Sequence, residues 1–204
     1  MISRSEALGH APGRWMQFID GKSFTDLALK LLRGSNYEPL ESDSYKKDCF
    51  LWPGGDKNSL PRPPLAEPWP VRSFYYTAVS GNEDVRADAR EKIRNLGFEP
   101  HVFSNDKQAQ KSNGADIALT GDMLSNAFRG NYEIAVLVSG NGEYVPLVEE
   151  VKRLGKRVHV HFFGRHAHPE LKLVADAFED ITPMVLRWGF RSENSAAMSA
   201  FDSR

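Results

Sequence analysis

The sequence predicts an α/β protein on a central, mostly parallel sheet of five or six strands, with helices on both faces. Three features predict it. Short apolar, β-branched runs alternate with segments of helical period along the chain, the pattern of a covered parallel sheet. One of them, Ala135–Val138, is an unbroken aliphatic run, as in a strand buried on both faces. Small polar residues, Ser139-Gly140-Asn141-Gly142-Glu143-Tyr144, then end that run abruptly, where open α/β sheets bind their ligands.

Each element follows from local pattern. Residues 1–13 read as a loose leader, residues 14–186 as the domain and residues 187–204 as a polar tail. Trp15–Ile19 is a first buried strand, closed by Asp20-Gly21-Lys22-Ser23, and Phe24–Leu32 has helical spacing. Residues 33–70 carry Pro39, Pro53, Gly54-Gly55, Pro61, Pro63-Pro64, Pro68 and Pro70, and read as an insertion with one strand near Cys49–Trp52. Its aromatic and basic residues (Tyr37, Tyr45, Lys46, Lys47, Trp52, Arg62, Trp69) either line a groove or pin a surface excursion, the latter being favoured. Val71–Val79 is the second strand, Asn82–Leu96 a helix, and Phe98–Phe103 the third strand. Ala115–Phe128 is a helix, Ala135–Val138 the fourth strand, Val145–Leu154 a helix and Arg157–Phe163 the fifth strand. Glu170–Ala177 reads as a helix and Phe178–Ile181 as a last short strand.

Of the 204 residues 41% are hydrophobic, enough for one core and too many for a disordered chain. The formal net charge of −1 gives no global basic field for nucleic acid. Cys49 is the only cysteine, which excludes an intramolecular disulfide and a multi-cysteine zinc site. No apolar run approaches the ~20 residues that cross a bilayer, and the first residues lack the apolar block of a signal peptide. A soluble, cytoplasmic protein with no membrane partner is expected.

The chemistry-bearing residues gather at strand ends. Asp20 ends the first strand; Asn141 and Glu143 follow the fourth. In a strand order such as 3-2-1-4-5, strands one and four are neighbours, which brings these groups together. Asp116 opens the helix before strand four. Asp122 lies six residues on, about 240° round that helix from Asp116, and reads as a supporting residue. Close carboxylates raise one another's pKa and need a counter-charge, which Mg²⁺ or Mn²⁺ supplies through oxygen ligands. Such a centre hydrolyses phosphodiesters. Equally, Asp20 and Asp116 serve only as caps for nearby amides, and spacing alone leaves the two readings level.

IDGKSF after a buried strand, KSNGADIALTGDML opening a helix, and AVLVSGNGEYVPLVEEVKRLGKRVHVHFF together resemble the NYN domain, a branch of the PIN-like nucleases, most of all its LabA-like group. The resemblance runs from Trp15 to Ile181 outside the insertion and is strongest over Lys111–Phe163. It implies a PIN-like three-layer α/β sandwich and metal-dependent cleavage of RNA, expected as a single strand, with a homodimer as the assembly to test. By position it implies Asp20, Asp116 and Glu143 as catalytic residues. It adds Asn141 and Asp122 to the Mg²⁺ or Mn²⁺ ligands. Asn141, Ser139, Lys111, Lys22 and Ser23 are expected as substrate contacts from their places beside these acids, although Lys111, just before the acidic helix, reads at least as well as a plain surface lysine.

The chain departs from the family pattern at informative places. Asn141 and Glu143 stand where the family has a pair of aspartates, as SGDxDF, so one charge is missing. Ser23 stands where Asn is frequent, and Tyr144 replaces Phe. The alternative is therefore a catalytically impaired module that binds RNA or nucleotides in a regulatory role; a small-molecule phosphohydrolase is a third reading. His159 and His161 share a face of strand five, with His166 and His168 in the next loop, and are read as packing or solvated histidines ahead of a soft-metal site. Gly140-Asn141-Gly142 lacks the rest of a dinucleotide fingerprint, and Ser139 sits in no nucleophile elbow.

Overall fold

The computed structural model describes residues 12–33, 44–46, 50–52, 57–105 and 114–187. Eight strands and five helices follow one another: β1 (Trp15–Asp20), α1 (Gly21–Arg33), β2 (Ser44–Lys46), β3 (Phe50–Trp52), β4 (Arg72–Val79), α2 (Glu83–Asn95), β5 (Glu99–Ser104), α3 (Gly114–Phe128), β6 (Ile134–Val138), α4 (Val145–Arg153), β7 (Arg157–Phe162), α5 (Pro169–Val174) and β8 (Ala177–Asp180). Six strands form one sheet in the order β5-β4-β1-β6-β7-β8, and every pairing in it is parallel. The chain walks outward from β1 through β4 to β5, then returns to β6 and walks the other way. The direction reverses between β1 and β6, and right-handed crossovers consequently put the helices of the two halves on opposite faces.

Side-chain alternation along β1 assigns the faces. Trp15 and Ile19 pack with Phe24, Ala28 and Leu32 of α1 and with Ala89 and Ile93 of α2. Met16 and Phe18 pack with Ala115, Leu119, Met123 and Ala127 of α3 and with Val145, Leu147, Val148 and Val151 of α4. The result is the three-layer sandwich expected. Helix α1 starts at Gly21 with no intervening turn, a correction to the loop expected at Asp20–Ser23.

The Pro-rich stretch is more structured than its composition suggests. β2 and β3 pair antiparallel as a hairpin, of which only the second strand was expected. Phe50, Leu51 and Trp52 are all buried. The Trp52 ring lies 5.0 Å from Phe24 and 4.9 Å from Phe98, so this aromatic fills the core instead of lining a groove. Aromatic faces left over by β4, α1 and β5 need covering, and burying such rings is strongly favourable. Further along, Gly13 and Ala66 form a parallel bridge and Trp15 Nε1–H donates to the Glu67 carbonyl at 2.8 Å, which ties the stretch to the end of β1. Of the other residues considered for a groove, Arg62 and Trp69 are exposed, while Tyr37 and Lys47, like Cys49, the tail beyond residue 187 and most of the leader, lie outside the described residues. Among the described residues no helix is long and apolar enough to cross a membrane.

Candidate functional site

Two strands that end side by side build the site. Parallel pairing of β1 with β6 sets Ile19 beside Val138, so Asp20 and Ser139 emerge together at the reversal point. Asp20 is nearly buried. Its Oδ2 accepts from the Ser23 hydroxyl at 2.7 Å and from the Ser139 hydroxyl at 2.9 Å, and its Oδ1 accepts from the Ser23 amide at 3.2 Å. Burial pushes the Asp20 carboxyl above the ordinary carboxylate range; the serine hydrogen bonds oppose that, and the Asp116 charge adds to it. Ser139 is itself fully buried and accepts from the Asn141 amide, so it holds Asp20 from below and does not face the solvent side.

The SGNGEY turn supplies the other wall. Asn141 caps a 3-10 turn, Gly142–Tyr144, that leads straight into α4. The Asn141 side-chain oxygen accepts from the Glu143 amide at 3.1 Å, and its Nδ2 donates to Glu143 Oε2 at 3.1 Å. Glu143 is exposed, whereas Tyr144 points inward and its hydroxyl donates to Asp116 Oδ1 at 2.9 Å, in the first turn of α3. Burial raises the Tyr144 phenol pKa first, and the charges of Asp20, Asp116 and Glu143 raise it further. Tyr144 thus ties the turn to Asp116, within the field of the other two carboxylates.

Other expected residues fall elsewhere. Asp122 Oδ2 accepts from the Tyr76 hydroxyl at 2.8 Å and lies 3.7 Å from His101 Nε2. Its charge raises Tyr76, not Tyr144, so α3 presents its two acids to different neighbours, as the helical angle requires. Lys22 is exposed and approaches Asp26 of its own helix at 3.9 Å. Lys111 lies outside the described residues. His159 and His161 are buried side by side on the far face of β7, away from the acids. Sequence reasoning missed why the two glycines are there. A Cβ on Gly140 would meet the Phe162 ring at 2.4 Å, and one on Gly142 would meet His168 at 2.7 Å. Both are small because the loop between β7 and α5 lies directly on the turn, pinned by His168 N–H to the Gly140 carbonyl at 2.9 Å. A glycine pattern alone carries no signal for a partner more than twenty residues away.

Among the described residues, no three acidic, cysteine or histidine side chains stand close enough to share a divalent ion as placed. The donors are nonetheless all oxygen, and Mg²⁺ asks only one or two carboxylates of a protein, completing its shell with water and substrate phosphate. Asp20 and Asp116, whose charges act on each other, are the two carboxylates such an ion would take.

A doubly wound parallel sheet with acids at its reversal point is the architecture expected of a PIN-like domain. The model of the NYN domain family matches residues 62–182, well over half of the chain, and the chain belongs to that family. Asp20 and α1 precede the matched span. Among solved structures, a protein of unknown function from Vibrio parahaemolyticus RIMD 2210633 is similar, with a TM-score of 0.57 and 19% identity over 89% of this chain and 96% of that one. At that identity the likeness concerns the fold. No curated protein matches the sequence.

Proposed function

We propose that this chain is a divalent-metal-dependent ribonuclease that cuts phosphodiester bonds at the C-terminal end of its sheet. The observation that carries this reading is the placement of the acids at one end of the sheet: Asp20 ends β1 and is held by Ser139 at the end of β6, while Tyr144 of the adjoining turn donates to Asp116. A cluster of one sign at a sheet's reversal point calls for a cation and suits a phosphate bridged to it. Asp20 and Asp116 would hold Mg²⁺ or Mn²⁺, with the Asn141 carbonyl oxygen and Glu143 at the rim. When bound, such an ion neutralises phosphate charge and acidifies a water. Ser23 and Ser139 keep the Asp20 carboxylate in one orientation, and the Tyr144 hydroxyl does the same for Asp116. Glu143, exposed and steadied by Asn141, is the group free to accept a proton from the attacking water.

One observation favours a second reading, an RNA-binding module without the cut. Both polar atoms of the Asn141 amide already serve the turn, in the place where the family pattern has a carboxylate. Incubating the purified protein with single-stranded RNA and Mn²⁺, beside Asp20→Asn, separates the two. Cleavage confined to the unsubstituted protein supports the nuclease. Equal background in both sinks it, and RNA binding that persists then favours the module.

A further inference from the structure

We propose that His168 is a stacking platform for an RNA base at the edge of the acidic cleft. This rests on the reading above that the cleft takes RNA; the platform is an addition to it. A Cβ placed on Gly142 would lie 2.7 Å from Cγ, 2.9 Å from Nδ1 and 3.0 Å from Cδ2 of His168. Three adjacent ring atoms at nearly one distance put the point above the ring face, not at its edge. The imidazole therefore lies flat on the glycine. Its backbone amide is tied to Gly140, and the neighbouring Ala167 is buried, so the loop that carries the ring is anchored at two places. His168 is nonetheless exposed.

Here one face rests on the turn while the residue stays exposed, beside Gly142, whose chain neighbours are Asn141 and Glu143. The acidic cluster engages the sugar–phosphate chain, and a base beside it needs a flat π surface. Stacking on aromatic side chains, histidine among them, is how single-stranded RNA bases are held, and it is tolerant of sequence because every base has a π face.

The test is fluorescence anisotropy of the full chain with a labelled single-stranded oligouridylate in the presence of Ca²⁺, a divalent ion for the oxygen ligands of the cleft, over a series of salt concentrations. His168→Ala is expected to weaken binding about tenfold, within the range for one stacked base, with the salt slope unchanged because no phosphate contact is removed. His168→Phe keeps a flat ring and is expected to bind within about twofold of the parent protein. Gly142→Ala leaves the histidine in the chain but drives the ring off the turn, and is expected to match His168→Ala, with thermal unfolding confirming that each variant folds. Parent-like binding by both His168→Ala and Gly142→Ala overturns the platform and leaves the RNA reading standing. Binding by His168→Phe as weak as by His168→Ala overturns stacking as the mode of contact. No binding by the parent protein overturns the RNA reading and the platform with it.

Discussion

The two faces of the sheet differ in how fully they pair their buried polar groups. On the α3–α4 face every polar side chain at the site has a partner: Asp20 with two serines, Asp116 with Tyr144, Asp122 with Tyr76. On the α1–α2 face Gln17, Ser73 and His161 are buried, and Gln17 Oε1 and Nε2, Ser73 Oγ and His161 Nδ1 have no hydrogen-bond partner among the described residues. Gln17 and Ser73 stand directly opposite each other across β1 and β4. A buried polar atom without a partner costs about 1–3 kcal/mol unless ordered water reaches it. The difference shows where polarity is organised. Charge sits on the face where hydroxyls hold it in place, while the opposite face carries polar atoms that weaken the fold.

Changes on the two faces should therefore separate activity from stability. The largest effect belongs to Asp20→Asn, which is expected to lower Mn²⁺-dependent RNA cleavage about 10³-fold, near 4 kcal/mol of barrier. The same change should raise the melting temperature at pH 7 by a few degrees. Asp20 has a raised folded pKa, so its contribution to stability is present below the ordinary carboxylate value and is lost as pH rises through the raised one; at neutral pH the charged form opposes folding. A melting temperature that falls at pH 7 would contradict this.

On the other face, burial first, and then the neighbouring His159 charge, lower the His161 pKa from 6.5 to about 4. The folded protein resists protonation there and the unfolded chain does not. Stability from this group is full above about pH 6.5 and is lost as pH falls toward 4, an effect of about 3 kcal/mol over that window. His161→Phe should flatten this acid limb in urea titrations between pH 7 and 4; an unchanged limb would assign the acid sensitivity elsewhere.

Gln17→Leu removes two unpaired polar atoms from the same apolar surroundings and is expected to stabilise by about 1–2 kcal/mol with cleavage unaltered, read as a higher urea midpoint at constant slope. Asn141→Asp restores a charge at the cleft at a cap position where Asn and Asp are equivalent, and should tighten Mn²⁺ binding about tenfold by calorimetry. No gain would remove Asn141 from the metal's neighbourhood. The smallest effect is Tyr144→Phe, which deletes the donor to Asp116 and should lower stability by about 1 kcal/mol while the fold persists.

The course of the chain was legible because each run advertised its own period. Ala135–Val138 could only be a central strand, and Glu83–Asn95 carried its apolar stripe in a solvent-facing sequence. Asp20, Asn141 and Glu143 were legible as a group because strand order alone puts their strands side by side. Less legible were contacts between parts distant in sequence. Pro-rich composition hid Trp52, whose burial depends on rings supplied by α1 and by the chain around β5. Ser139 looked like a substrate contact until its hydroxyl was seen turned beneath Asp20.

By itself the sequence determined the alternation of strands and helices, the sheet's reversal between β1 and β6, and the acids brought to that end, since periodicity and chain connectivity are local rules. Only the tertiary structure decided that Tyr144 meets Asp116, that Asp122 turns instead to Tyr76, and that Gly142 is bare so that His168 can lie upon it. Those outcomes depend on side-chain packing between elements far apart in the chain, where a few ångströms settle which group meets which.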